Sequence, residues 1–391
     1  MSHLESAVAP FILMSLPKRA LIWIVPTVVG VGCLWCWTAG PLAVPGDSPQ
    51  RQELSKKSNR TMTGQGSPVT AAFDQMRRSP DREGMLRSLD ALRQELESMP
   101  TDQATAWMRA FLNKGGDKPT GLSFVIGNDR DLSEWPTFRT FLIDTLSTID
   151  PEAAAAASRD ILSVPTSADE WALALRNVGR TGTSTEDLEY LRIKTEALIA
   201  NPEWQEHPSI GYLNAFDVLV HTDATGSTPL LSGLIRRKDR KDLAHAGFLT
   251  LDRLVQRNPA DVLTRLTSDR MLQESRPEMV AQQFARADLR DADQREIVKS
   301  WLLDPSRTDT ELRSFAGIYP NSNRFISNNL LTRDPPQSGG DLASHDREAL
   351  EIISMWREDP AFQHIKPCLA TMQERLVTFV SQSAEMEDAP Q

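Results

Sequence analysis

The adjacent residues His345 and Asp346 come closest in this sequence to a hydrolytic metal centre. An imidazole and a carboxylate on one helix can chelate a metal ion when a distant His and Asp complete the site. The upstream histidines His221 and His245 have no aspartate clearly placed to serve as that partner. The pair also suits an exposed, polar helix start over 341–348. We therefore predict neither a metal ion nor a bound cofactor.

A second set of polar residues keeps a hydrolytic function open as the alternative. His221 and Asp223 could supply two ligands across a bend, although a histidine at a helix end is also favoured by the helix dipole. With Asp169, Glu170 and His245 they are the residues that would line a hydrolase site. The sequence contains no phosphate-binding glycine loop, no His-Glu-x-x-His helix and no Gly-x-Ser-x-Gly elbow. No catalytic residue is therefore assigned.

The segment 315–329 is the most distinctive candidate for ligand binding. It combines aromatic rings with amides and a guanidinium, which suit a polar ligand such as a glycan or a peptide. The candidate residues are Tyr319, Asn321, Asn323, Arg324, Asn328 and Asn329. The competing interpretation is an ordinary loop between helices, because asparagine is common in turns and Tyr319-Pro320 would end a helix.

The acidic net charge of the chain argues against one class of partner, nucleic acid. The formal net charge is −10 at pH 7, which disfavours nucleic acid because phosphate binding depends on a high density of cations. The one basic cluster, 236–241, contains Asp239 and is followed by Asp242, and no aromatic residue interleaves with its cations. We therefore predict that 236–241 is a solvated helix junction. The predicted partner is a protein or another polar component of the cell envelope.

Helical periodicity dominates from about residue 70. Leu86, Leu89, Leu92 and Leu96 recur at steps of three and four, which aligns their side chains on one helix face. Helix starts are marked by Asp or Asn followed by Pro, because the first side chain caps the helix and proline suits its first position. These pairs begin at Asp150, Asn201, Asn258, Asp304 and Asp359. The strand-like run 122–126 is predicted to be an ordered connector.

The predicted fold is all-α. Successive helical pairs that bury their apolar faces against neighbours would form an array of antiparallel hairpins, an α-solenoid or α/α superhelix that is HEAT-like in general architecture. Six tryptophans spread evenly along the array are predicted to lie in its core: Trp107, Trp135, Trp171, Trp204, Trp301 and Trp356.

Composition divides the chain into seven stretches. We predict a cytoplasmic N-terminus over 1–19, a transmembrane anchor or signal segment over 20–44, a flexible linker over 45–69, the helical array over 70–333, a loop over 334–340, a C-terminal helical hairpin over 341–384 and an acidic tail over 385–391.

An uncharged N-terminal stretch predicts a membrane anchor. No charged residue occurs from 20 to 46, and a helix over 20–37 would span about 27 Å, close to a bilayer core of roughly 30 Å. Trp23, Trp35 and Trp37 lie near its ends, where indole rings favour the interface. Lys18-Arg19 precede the stretch, which holds the N-terminus in the cytoplasm. This predicts a single-pass protein of the bacterial inner membrane with a periplasmic or extracellular helical domain.

Two alternatives to an uncleaved anchor stay open. A cleaved signal peptide would need small residues before its cleavage site, where this sequence offers Trp37 or Pro41. The other alternative is a lipoprotein with its lipid on Cys33, although a glycine stands where such signals usually have a leucine upstream of the cysteine. Beyond the apolar segment only Cys368 remains, so no intrachain disulfide is expected there. The leading hypothesis is a membrane-anchored, exported helical module for binding or scaffolding, with an exported hydrolase as the alternative.

Cell fractionation tests the predicted anchor. We expect the full-length protein to sediment with membranes and to require detergent for release, because the stretch 20–44 prefers hydrocarbon to water. Removal of residues 1–44 should leave the helical domain in the soluble fraction. Recovery of the full-length protein free in cytosolic extract would contradict the prediction.

Overall fold

A computed structural model of the chain describes residues 67–76, 81–114, 116–127, 129–323, 330–333 and 339–387. The described residues belong to one compact unit. None of the helices they form combines the length and apolar character needed to cross a bilayer. The predicted anchor over 20–44, with Trp23, Trp35 and Trp37, lies outside the described residues, so it stays a prediction.

The described part of the chain is mostly helical, with very little strand, which confirms the all-α prediction. Its helices are α1 (Pro68–Gln75), α2 (Arg82–Ser98), α3 (Thr101–Leu112), α4 (Phe138–Ile149), α5 (Pro151–Ile161), α6 (Ala168–Thr181), α7 (Thr185–Ala200), α8 (Pro202–Glu206), α9 (Ile210–Ala215), α10 (Asp217–His221), α11 (Thr228–Ile235), α12 (Lys241–Arg257), α13 (Pro259–Ser268), α14 (Arg270–Ser275), α15 (Pro277–Phe284), α16 (Ala292–Leu303), α17 (Asp309–Ile318), α18 (Gly339–Glu358) and α19 (Lys366–Glu387). Short 3-10 helices cover Thr225–Ser227 and Pro360–Ile365.

One small antiparallel ribbon interrupts the helices. Strand β1 (Val125–Ile126) pairs with β2 (Leu132–Glu134), with an irregularity in register between the two residues of β1. The connector predicted over 122–126 therefore has a strand partner, which is too short to be visible as alternation in the sequence. The turn between the strands is closed by a hydrogen bond from the Gly127 amide to the Asp131 carbonyl at 2.7 Å.

Most of the predicted helix caps are present. The Asp150 carboxylate accepts from the Ala153 amide at 3.0 Å, and Asn201 and Asp359 cap the helices that follow them in the same way. Asn258 makes no side-chain cap. The prediction at Asp304 is wrong: α17 begins five residues later, where Thr308 and Glu311 form a reciprocal capping box.

Many consecutive helices pack side by side in the described residues, as in the pairs α5–α6, α11–α12 and α18–α19. The helices α4, α6, α10 and α12 also contact one another in succession. At the C-terminus α18 packs on α19, and α19 packs on α17. Five of the six predicted core tryptophans are buried, and Trp107 is half-buried against the core. The large rings are thus packing residues, as their even spacing predicted.

Buried ion pairs join helices that are not adjacent in sequence. Arg176 on α6 donates to the Asp144 carboxylate on α4 at 2.6 Å, and both side chains are at most 1% exposed. Burial lowers the pKa of Arg176, while the charge of Asp144 opposes that shift. The Trp135 indole also donates to Asp144, at 2.7 Å. The Asp144 carboxylate therefore ties together α4, α6 and the residue that follows β2.

Removing the charge of Asp144 should strongly destabilise the fold. The substitution Asp144→Asn keeps the shape but leaves the Arg176 guanidinium buried without its counter-ion, which costs about 3–5 kcal/mol. Chemical denaturation followed by circular dichroism measures the loss. The matched control Glu83→Gln removes one carboxylate of an exposed i,i+4 pair with Arg87 and should leave the transition nearly unchanged. Equal effects would contradict the structural role of the buried pair.

Candidate functional site

The predicted ligand loop is only partly exposed. Tyr319 is fully buried and its ring stacks on Phe315 at 5.4 Å between centroids, so this side chain is not on the surface where the sequence suggested a ligand. Asn321 makes a hydrogen bond within the fold, since its backbone amide donates to the Ala285 carbonyl at 2.8 Å. Asn323 is exposed. Arg324, Asn328 and Asn329 lie outside the described residues.

The acidic residues that would line a hydrolase site each bind a different partner within the fold. Asp169 accepts from the Ser209 hydroxyl and the Gly211 amide, while Glu170 forms a two-pronged pair with Arg139 at 2.9 Å. Asp223 pairs with Arg257 at 2.6 Å. Within the described ranges, no three His, Cys, Asp or Glu side chains are arranged to hold a metal ion.

The two remaining histidines of interest lie in different surroundings. His245 is exposed on α12. His221 is half-buried at the end of α10, and burial is the main cause that lowers its pKa below the ordinary value. His221 and His245 therefore do not form one site with Asp169 or Glu170.

The pair His345 and Asp346 occupies a junction near the start of α18. The His345 Nδ1 atom lies 3.2 Å from Asp346 Oδ1, and its Nε2 atom lies 3.9 Å from Asp288 Oδ1. Asp346 is buried and Asp288 is held by Arg290 at 2.6 Å. The His345 imidazole is therefore placed to stabilise this junction by a hydrogen bond with the Asp346 carboxylate.

The basic cluster lies at the junction of α11 and α12. Arg237 pairs with Asp239, and Arg240 pairs with Asp242 at 2.8 Å. Arg240 also donates to the carbonyls of Gln205 and Glu206 at the end of α8. These cations are committed to local acids and a helix end, which agrees with the helix junction predicted from the sequence.

The most specific polar site involves a short, bent segment of the chain itself. Leu330 to Arg333, here called the 330–333 segment, follows α17 and precedes α18. Leu330, Leu331 and Thr332 are buried, with at most 7% of each residue exposed. The segment contacts α6, α10 and α12 and the turn between β1 and β2. These four elements form the candidate site, here called the groove.

Asp217 at the start of α10 is the centre of the groove. Its Oδ2 atom accepts from the backbone amides of Leu331 and Thr332 at 2.6 and 2.9 Å. Its Oδ1 atom accepts from the Thr332 hydroxyl and from Arg253 on α12, the latter at 2.7 Å. Only 4% of the Asp217 side chain is exposed. Hydrogen bonds to such a buried, charged acceptor are stronger than those between neutral groups.

Arg130 and Gly179 complete the groove. Arg130 has a left-handed backbone with φ of 73°, and its Nη1 atom donates to the Leu331 carbonyl at 2.5 Å. The carbonyl of Arg130 in turn accepts from Arg176 at 3.3 Å. Gly179 on α6 makes room for Leu331, since a Cβ atom there would lie 2.5 Å from its Cδ1. The groove thus binds the segment through both its backbone and its side chains.

The connection that carries the segment is long. α17 ends at Ile318 and α18 begins at Gly339, whereas helices that pack together are commonly joined by roughly 2–8 residues. The partner helix α19 already packs on α17. The chain therefore travels back to α6, α10 and α12 before it enters the C-terminal pair.

Sequence reasoning missed this groove. The available signal was a lone carboxylate in an apolar run, Phe216-Asp217-Val218-Leu219, because a charge in such a position must be paired when it is buried. The residues that pair with it, Leu331 and Thr332, lie more than a hundred positions later in the chain. Nothing in their local sequence marks them as that partner.

Comparison with known proteins gives no family for this chain. No protein-family model matches the sequence, and neither the curated proteins nor the solved structures contain a significant match.

Hydrogen exchange tests whether Asp217 holds the segment. The substitution Asp217→Asn removes the charge that two amides share, and we expect exchange at Leu331 and Thr332 to accelerate about tenfold or more, since bonds to charged groups contribute about 1.5–3 kcal/mol. Mass spectrometry of peptides covering 330–333 gives the rate. Asp223→Asn is the matched control, because Asp223 lies close in sequence but is half exposed and pairs only with Arg257 and Asn258. Equal rates in both variants would contradict the assignment.

Proposed function

We propose that this chain is a membrane-anchored helical scaffold of the cell envelope that binds a short segment of a partner protein in the groove. One observation carries the proposal: two charged side chains, one on α10 and one in the β1–β2 turn, hold both the amide and the carbonyl of Leu331. Asp217 accepts from the amide and a second group, Arg130, donates to the carbonyl. In peptide-binding sites, hydrogen bonds to the main chain of the ligand supply affinity, and pockets for its side chains supply specificity.

The proposed architecture is an α-solenoid whose inner row is formed by α4, α6, α10 and α12. Its support is the succession of contacts among these helices, with the intervening helices packed beside them. In such an array one row of helices lines a long, concave surface, and repeat proteins use this surface to bind their ligands. The 330–333 segment contacts α6, α10 and α12 in turn, which is the path expected of a ligand on the inner row.

Envelope location and anchoring rest on the sequence. The uncharged stretch 20–44 and the preceding Lys18-Arg19 favour an exported domain tethered to the inner membrane. The net charge of −10 favours a polar or cationic partner surface outside the groove. A peptide ligand is also one of the two polar ligands predicted from the neighbouring loop 315–329.

The hydrolase alternative has weaker support. Asp169, Glu170 and Asp223 each bind a different structural partner, and a hydrolytic site needs such groups to converge on one reacting atom. Binding is therefore the function that the geometry favours.

Site-specific crosslinking in cells tests the proposal. A photoreactive amino acid in place of His221, at the half-buried end of α10 beside Asp217, should crosslink to one envelope protein. The same amino acid in place of Ile193, an exposed residue of α7, is the matched control and should not. We expect Asp217→Asn to reduce the crosslink at least about tenfold, because the charge that binds the ligand backbone is lost. A crosslink that forms equally at both positions, or that is insensitive to Asp217→Asn, would refute a binding groove.

A further inference from the structure

We propose that the groove selects segments of the class aliphatic–aliphatic–hydroxyl, such as Leu-Leu-Thr or Leu-Leu-Ser, and that Leu330–Thr332 is the chain's own copy of this ligand. The partner segment binds by displacing that copy. This inference rests on the proposed function and adds to it the sequence class of the partner.

The central aliphatic position is selected by space. The Leu331 side chain lies over Gly179, where even one additional methyl group would come within 2.5 Å of its Cδ1 atom. Leu191 on α7 lines the same site, 3.6 Å from that position. An aliphatic side chain fills this apolar site, whereas a charged side chain would be buried without a partner. Leu330 is fully buried as well, so two successive apolar residues are required.

The third position is selected by hydrogen bonding. The Thr332 hydroxyl donates to Asp217 and accepts from Arg253, so it lies between the two charged groups. A valine of similar shape could do neither, and two buried polar groups would each lose a partner. A serine would keep both bonds. The hydroxyl therefore distinguishes Thr and Ser from other residues of the same size.

The chain's own segment is an exchangeable occupant. It is carried on a long connection, 319–338, whereas helices in bundles are commonly joined by roughly 2–8 residues. A tethered segment competes at an effective concentration that is typically in the millimolar range. The Nε atom of Arg130 is buried without a hydrogen-bond partner, so the resident copy leaves one donor of the groove unused.

Peptide binding to the full-length protein in detergent tests the inference. The probe is a fluorescent peptide, Gly-Gly-Leu-Leu-Thr-Arg-Gly-Gly, measured by anisotropy. The variant Thr332→Val weakens the resident copy without altering the groove, and we expect it to bind the probe about tenfold or more tightly than the wild type does. The double variant Thr332→Val, Asp217→Asn should lose that gain. The matched control Thr264→Val, on an exposed hydroxyl of α13, should bind like the wild type.

Altered probes test the selectivity. Replacing Thr in the probe by Val should weaken binding about tenfold or more, whereas Ser should be tolerated. In the variant Gly179→Ala the probe with Leu at the central position should weaken, and a probe with Ala there should bind comparatively better. A non-additive cycle between Gly179 and this position assigns the contact to the groove.

A measurement on the wild type covers the case in which Thr332→Val fails to fold. Saturating probe should accelerate hydrogen exchange at Leu331 and Thr332, because the resident copy leaves the groove. Failure of the probe to bind Thr332→Val and to alter exchange in the wild type would overturn the inference. If the crosslink at position 221 still forms under those conditions and depends on Asp217, the proposed function stands and only the sequence class is wrong. Loss of that crosslink as well would refute both.

Discussion

Buried carboxylates that must be neutralised across helices are the constraint on which this fold depends. Ion pairs between an acid and an arginine 31–36 positions apart in sequence recur along the described chain, and at least one partner of each pair lies on a helix. They are Arg139–Glu170, Asp144–Arg176, Asp217–Arg253 and Asp252–Arg286. Breaking such a pair leaves a charge uncompensated in the interior, so each pair fixes which helices lie side by side.

The groove is an elaboration of one of these pairs. Asp144 uses its remaining capacity on an indole and on the Leu132 amide, which makes it a purely structural centre. Asp217 instead offers its second oxygen to two consecutive amides of the 330–333 segment. A buried carboxylate paired with an arginine thus joins neighbouring helices in both cases, and at Asp217 it also binds the backbone of the 330–333 segment.

The sequence predicted what depends on local pattern. Helical periodicity, the caps at Asp150 and Asn201 and the burial of most tryptophans follow from spacing that a single helix or turn determines. The helix cap predicted at Asp304 is wrong because the Asp304 side chain instead accepts from the Ser306 amide within a turn. The groove could not be predicted, because a buried carboxylate signals that a partner exists without indicating where in the chain it lies. The anchor over 20–44 rests on composition alone.

Occupation of the groove has a mechanical consequence. Helical arrays yield most easily between successive repeats, since each repeat touches only its neighbours. The 330–333 segment is fastened at once to the β1–β2 turn, α10 and α12, and so it braces these elements against one another. In the proposed array, the segment that occupies the groove would therefore stiffen the helices that it joins.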